Sequence, residues 1–455
     1  MKLFSDHVTL RRTQDRSRGP AFAQGRPTAP AVGVRIVLKA AADAGGKAVT
    51  LAITVLAART LNADAFGVMA LAMATGWLLG VATDAGLAMH LARETARRPG
   101  QSRQLLIEVL RLRAGLAYLA ATMIAFFTPE IVPGNWKMQF VLIVFAQLTG
   151  AIIDTIAHYF RGVGRSEIES TIHAGYRLLT LVLAVAVLWW SPRLDLLGAA
   201  MLLPAVIAIV VSMFFAFRLP IHLKVDTTGT PPDGWCPPSG GLTPATFFKD
   251  VLPLGAGVLL SALYFRIDVY FIEQWHGLEA VGGYNAVFRL VEALRLLPAA
   301  VMAVTFPMLV QTTDTRLVQR IGAALAIAGL AIAVFCALGA SFIVPSIYGA
   351  PYLYAAPAFA MLAFALPLFF LNYALTHQVI GWDGQRAYLA IAGLALAANV
   401  AANFALVPSQ GMIGAAIATL LTEVVVTGGC LYALVHRGGS ARRFSAKVQG
   451  EGVLP

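Results

Sequence analysis

The chain has 455 residues, 58% hydrophobic and 13% charged, with a mean hydropathy of +0.73. A water-soluble domain of this length would hardly tolerate so little charge, so an integral membrane protein is expected. Nucleic-acid binding, the other usual reading of a net charge of +11 and a pI near 9.8, is excluded by the distribution of that charge along the chain.

Residues 1–34 are polar, rich in Arg, Pro and Gly, and lack the apolar core of a signal peptide. They read as a disordered cytoplasmic tail. Hydrophobic runs of about 20 residues, the length that crosses a bilayer, then recur along nearly the whole chain. They predict twelve helices at 36–58, 66–89, 106–127, 138–160, 169–190, 196–217, 249–273, 281–309, 320–345, 356–379, 386–407 and 412–435. In lipid each backbone must satisfy its own hydrogen bonds, so an all-α bundle is expected. Between the sixth and seventh helices lies the longest loop, 218–248, whose Pro231, Pro232, Pro237, Pro238, Gly240 and Gly241 mark a linker. The expected division is therefore a six-helix lobe over 35–217, a cytoplasmic linker over 218–248, a second six-helix lobe over 249–436 and a cytoplasmic tail over 437–455.

The connecting segments alternate steeply in charge. Of 34 Lys and Arg, the predicted topology places about 23 on one side, about 3 (Arg59, Lys137 and Arg193) on the other and about 8 within the membrane. The positive-inside rule then puts both termini in the cytoplasm, which an even number of crossings requires. The excess positive charge is an orientation signal and an attraction to anionic lipid headgroups. Cys236, Cys336 and Cys430 are too few and too scattered for a disulfide framework or a metal site.

Two short matches suggest an internal repeat. Leu61-Asn-Ala-Asp-Ala-Phe-Gly67 after the first helix lines up with His276-Gly-Leu-Glu-Ala-Val-Gly282 after the seventh. Leu197-Gly-Ala-Ala200 lines up with Ile413-Gly-Ala-Ala416 at nearly the same offset. Two parallel-related six-helix lobes around a central cleft would result, with the cleft as transport path.

Eight cations stay in the membrane: Lys39, Lys47, Arg111, Arg113, Arg177, Arg266, Arg289 and Arg295. Arg111, Arg113 and Arg177 lie close enough to helix ends to snorkel, and Lys39 is ambiguous for the same reason. Lys39, Asp43 and Lys47, at intervals of four, share a helix face, and Gly45 and Gly46 beside them permit a bend. Arg266 and Asp268 lie on the seventh helix, and Arg289, Glu292 and Arg295 succeed one another at intervals of three on the eighth. These stretches hold more Arg than acid, so they either line a hydrated positive cleft or form a structural ion-pair network. Lys39, Lys47, Arg266, Arg289 and Arg295 are the candidate anion-binding residues, since charge-assisted hydrogen bonds suit a diphosphate. Asp268 and Glu292 are the foremost candidates for ion coupling, then Asp43 and Asp84. Tyr264, Tyr270, Asn285, Asn399 and Asn403 read as helix-packing groups.

Ala58-Arg59-Thr60-Leu61, Phe66-Gly67, Asp84-Ala-Gly86-Leu87 and Arg93-Glu94 occur in order in the first half. Gly283-Tyr284-Asn-Ala286, Phe306-Pro307, Tyr348-Gly349, Tyr352, Asn399, Asn403, Pro408, Gly411, Gly414-Ala-Ala416, Thr419 and Glu423 occur in order in the second. Together they resemble the polysaccharide-transporter and oligosaccharide-flippase (Wzx-like) branch of the multidrug/oligosaccharidyl-lipid/polysaccharide exporter superfamily. The resemblance implies a multi-pass protein of the bacterial inner membrane that moves undecaprenyl-diphosphate-linked saccharide units of O-antigen, capsule or exopolysaccharide across the bilayer. It implies alternating access driven by a proton or sodium gradient, no cofactor, and a polysaccharide polymerase and chain-length machinery as partners besides membrane lipids. A drug or metabolite antiporter of the same superfamily is the nearer alternative. A membrane enzyme of glycan assembly is remote, because the predicted outer loops are short and carry no acid-base constellation.

Overall fold

A computed structural model describes residues 29–218, 252–311, 315–382 and 384–450. Among the described residues all regular structure is helical. Most of the expected tail 1–34 and nearly all of the linker 218–248 lie outside them. The chain divides into two compact units, residues 1–41 and 42–455, and the larger of the two holds the helical bundle and its cavity.

The first half contributes α1 (Ala29–Thr60), α2 (Ala63–Asp84), α3 (Leu87–Arg97), α4 (Ser102–Ile131), α5 (Lys137–Gly162), α6 (Ser166–Trp190) and α7 (Leu194–Arg218). In the second half are α8 (Leu252–Arg266), α9 (Asp268–Leu294), α10 (Leu296–Gln311), α11 (Thr315–Tyr348), α12 (Ala356–Ala363), α13 (Leu366–Gly381) and α14 (Gln385–Gly450). Helix α1 starts at Ala29, so residues 29–34 of the expected tail are helical. The same helix is continuous through Gly45 and Gly46, which permit a bend.

Seven described stretches are long and apolar enough to cross a membrane, or eight when α12 and α13, bent by 46°, are taken as one span. Two of the seven, of 50 and 52 residues, are about twice the ~20 residues that a crossing needs. Each is a hairpin. Asn399 donates to the Thr422 hydroxyl at 2.9 Å, although 23 residues of straight helix would hold them about 34 Å apart. The chain reverses at Gly411, midway between them, whose φ of 55° falls in the left-handed region that glycine enters without steric cost. Likewise the Tyr284 hydroxyl donates to the Asp268 carboxylate, which requires a reversal at Gly277 (φ 75°). The twelve expected crossings are then reached if the more highly charged α1 and α4 also span the bilayer.

One predicted helix, 66–89, is two. Ala85 (φ 44°) and Gly86 (φ 86°) leave the helical region and separate α2 from α3. The Asp84 carboxylate accepts from the Ala88 amide and so serves an otherwise orphaned donor at the start of α3.

The halves share one core at one end and keep separate cores at the other, where they still touch: a Cβ on Gly255 would lie 2.9 Å from the Ala85 carbonyl oxygen. At the end carrying the α1–α2 turn, a single apolar core runs from Ile53, Phe66 and Phe140 in the first half to Val281, Tyr284 and Phe359 in the second. Here the two repeat motifs meet: a Cβ on Gly67 would come within 2.0 Å of the Leu278 carbonyl oxygen, and one on Gly282 would meet Phe66 at 3.0 Å. Equivalent segments in contact are what a two-fold relation between parallel repeats produces at its axis. Arg59 adds a tie, donating to the Ile347 and Ser346 carbonyls at 2.7 and 2.6 Å. At the opposite end the halves keep separate cores, Leu91, Leu106 and Tyr159 in the first, Val379, Ile391 and Cys430 in the second.

Candidate functional site

Between those separate cores lies a cavity of about 530 Å³, within the ~300–1,000 Å³ typical of ligand sites. Its first-half wall is built from single helix faces. Gln147, Gly150, Ala151, Asp154 and His158 form a stripe along α5, and His173, Tyr176, Arg177 and Thr180 form another along α6, each at the three-to-four spacing of one face. Glycines hold the α2–α5 pair close: a Cβ on Gly76 would clash with Gln147, and one on Gly80 would touch Ala151 at 3.0 Å. That approach turns Trp77 of α2 and Asp154 of α5 towards the same space.

The second-half wall carries a cluster of three ions. Arg266 at the end of α8 and Arg289 in α9 both donate to Glu292 Oε2, at 3.0 and 2.7 Å. The reversal at Gly277 brings them together, because Arg266 and Glu292 stand 26 residues apart in sequence. Phe288 lies beneath the Arg266 guanidinium, 4.6 Å from ring centroid to charge, so this buried cation is held by a carboxylate and an aromatic face. Lys47 of α1 lines the same cavity and is electrostatically coupled to Glu292. On α6, Arg177 donates to the Gly46 carbonyl at 3.1 Å. A Cβ on Gly46 would lie 2.5 Å from the Arg177 side chain, which would have to shift to admit it.

The cavity wall holds five Lys or Arg (Lys47, Arg113, Arg177, Arg266, Arg289) against three carboxylates (Asp84, Asp154, Glu292). Its formal excess is thus positive, and every one of these groups faces a site with less water than bulk to screen it.

Several expected residues fall elsewhere. Arg295 ends α9, and its guanidinium lies over Phe265 and Phe369, 4.4 Å from each ring centre; it does not line the cavity. Asp268 is buried behind the wall, accepting from Tyr284 and from the Val269 amide at 2.9 Å. The side chains of Lys39 and Asp43 lie outside the described residues. Arg113 does not snorkel as expected: its side chain is 4% exposed, pairs with Asp84 and donates to the Gly80 carbonyl. Arg177 likewise points into the bundle, whereas Arg111 is exposed. Tyr270 bonds Thr75, and Asn399 and Asn403 bond within α14, in keeping with packing roles. His158, His173, Trp77 and Gln147 were missed as site residues. A cavity-facing stripe with aromatic and imidazole groups looks in sequence like any mixed helix face.

Fold and site together define a multi-pass membrane protein of transporter architecture. A structure described as the inward-facing conformation of a multidrug resistance MATE family transporter of the MOP superfamily is similar over 88% of this chain and 96% of its own, at 16% identity and a TM-score of 0.67. The lipid II flippase MurJ in an inward closed conformation is similar over 88% and 87%, at 12% identity and a TM-score of 0.61. A mutant of the Vibrio cholerae MATE transporter VcmN is similar over 91% and 98%, at 13% identity and a TM-score of 0.58. The family model described as polysaccharide biosynthesis protein matches residues 40–313, and the chain belongs to that family. No curated protein matches the chain.

Proposed function

We propose that the protein is a flippase that carries a polyprenyl-diphosphate-linked saccharide across the bacterial inner membrane, with both termini in the cytoplasm. One observation carries the reading: Lys47, Arg266 and Arg289 converge around the single carboxylate of Glu292 on the wall of the inter-half cavity. Arg266 and Arg289 share one carboxylate oxygen, Glu292 Oε2, and such a cationic cluster matches a diphosphate. Arg suits this task because its planar fork binds phosphate oxygens in pairs. Membership of a polysaccharide biosynthesis family and the fold shared with a lipid II flippase support the same reading. A small cationic drug would meet a repelling wall.

The corresponding mechanism is alternating access by rocking of the halves. The cavity lies towards the end that carries the α2–α3 break, which the charge asymmetry of the loops assigns to the cytoplasm. A headgroup would enter there, its polyprenyl tail remaining in lipid. Ion coupling is assigned to Asp268 and Glu292, with Asp84 tied up instead by Arg113 and the α3 amide. The fold shared with transporters and a flippase favours transport over an enzyme of glycan assembly, and the polymerase and chain-length machinery remain expected partners.

The test is transport in proteoliposomes of a fluorescent polyprenyl-diphosphate saccharide. Arg289→Ala and Lys47→Ala are each expected to slow flipping at least about tenfold, a loss of one charge-assisted contact, with normal protein levels. Unchanged flipping in both would remove the cationic-site reading.

A further inference from the structure

The function proposed above uses the cation cluster around Glu292 and leaves an aromatic and polar patch of the cavity wall without a role. The ion cluster of α8 and α9 stands on the second half. Facing it, the first half presents Trp77, Gln147, Asp154, His158, His173 and Tyr176. Charged groups stand on this half too, Lys47, Asp84, Arg113 and Arg177 among them, but within this patch the polar groups are partly satisfied internally: His173 Nε2 lies 3.7 Å from the Asp154 carboxylate, and His158 Nδ1 lies 2.8 Å from the Asp154 carbonyl. What remains is a set of short hydrogen-bonding groups beside a broad aromatic face.

We infer that this first-half wall is a saccharide subsite, in which Trp77 stacks on the sugar attached directly to the diphosphate and Gln147, Asp154 and His173 hydrogen-bond its hydroxyls. The inference rests on the flippase reading, and adds to it the part of the cargo that the cations do not explain. Three observations carry it. First, the Trp77 ring is 41% exposed yet belongs to a helix that is otherwise buried along most of its length, so its free face is turned to the cavity rather than to a neighbour. Second, its other contact is Phe265, at 6.3 Å between ring centres, and Phe265 is the residue before Arg266. A ring resting on Trp77 would therefore adjoin a diphosphate held by Arg266 and Arg289, as the first sugar of a diphosphate-linked glycan must. Third, Asp154 is 61% exposed in a cavity-facing position, so its carboxylate can accept from hydroxyls without first breaking a buried bond. An indole offers an apolar face that suits the C–H face of a pyranose, while the ring edge and the amide and carboxylate supply the polar contacts.

An organic cation is the other ligand that an exposed tryptophan and a carboxylate could hold. The five cations of the same cavity oppose it, whereas an uncharged sugar is indifferent to them.

The experiment compares binding of three probes to the full-length protein in nanodiscs: undecaprenyl diphosphate, undecaprenyl-diphosphoryl N-acetylglucosamine and tetraphenylphosphonium. Wild type should bind the glycosylated lipid more tightly than the bare one. Trp77→Ala should abolish that difference, a loss of about tenfold, while leaving affinity for undecaprenyl diphosphate unchanged, which also shows that the variant is folded. Trp77→Phe should retain most of the difference. Equal weakening of both lipids by Trp77→Ala, or no preference of the wild type for the glycosylated lipid, overturns the saccharide subsite and leaves the flippase reading intact. Binding of neither lipid by the wild type, or tetraphenylphosphonium binding that Asp154→Asn removes, overturns both.

Discussion

Gly67 and the Leu278 carbonyl stand so close that a single methyl group on Gly67 would come within 2.0 Å of that oxygen. The two residues belong to the turns that match in the two halves of the sequence, and they meet where the halves join. Gly67→Ala should therefore separate the halves at this end. Forced overpacking costs about 1–3 kcal/mol, to be read as a lower melting temperature in detergent. A melting temperature equal to that of wild type would show that the seam yields freely.

Arg59 acts at the same end through hydrogen bonds to the last carbonyls of α11. Bonds to a charged donor contribute about 1.5–3 kcal/mol each when intact and less when exposed to water, as here. Arg59→Ala is expected to raise the population open at this end. Spin labels on α2 and α9 should report a longer distance, and an unchanged distribution would confine Arg59 to capping α11.

Glu292 neutralises Arg266, whose side chain is 4% exposed. Removing one partner of a buried pair costs about 3–5 kcal/mol because the other charge is stranded. Glu292→Ala should thus lower protein levels, while the double change Arg266→Met with Glu292→Met should restore them without restoring transport. Recovery of transport in the double variant would show that the pair is structural alone.

Asp268 is bonded to Tyr284 and an amide, and a neutral side chain of the same shape can replace it with little disruption. Asp268→Asn is expected to abolish uptake driven by a pH or sodium gradient in proteoliposomes while downhill exchange continues. Gradient-driven transport at the wild-type rate would remove Asp268 from coupling.

Much of this organisation was legible in the chain. Runs of membrane-crossing length located the helices, and the 61–67 and 276–282 match located the seam, because both depend on local composition. Arg266, Arg289, Glu292 and Lys47, which line the cavity, stood out as candidates because a charge in lipid is costly wherever it stands. Arg295 was indistinguishable from them in sequence, since nothing local reveals that Phe265 and Phe369 enclose it. Arg113 was misread for a similar reason: its partner Asp84 is 29 residues away and met only through packing. The break after Asp84 was hidden because Ala85, not only Gly86, adopts a positive φ.

The two hairpin tips of the second half are joined to each other. His276, beside the reversal at Gly277, bonds the Val407 carbonyl at 2.8 Å, and its ring covers Gly411, where the other hairpin turns. These tips are knotted rather than looped, with no slack chain to release, so an exit at that end cannot be widened by a loop swinging aside. Cargo could leave only when the whole second half tilts as one lever, and a cross-link between 276 and 407 should then leave export intact where one between 67 and 278 would stall it.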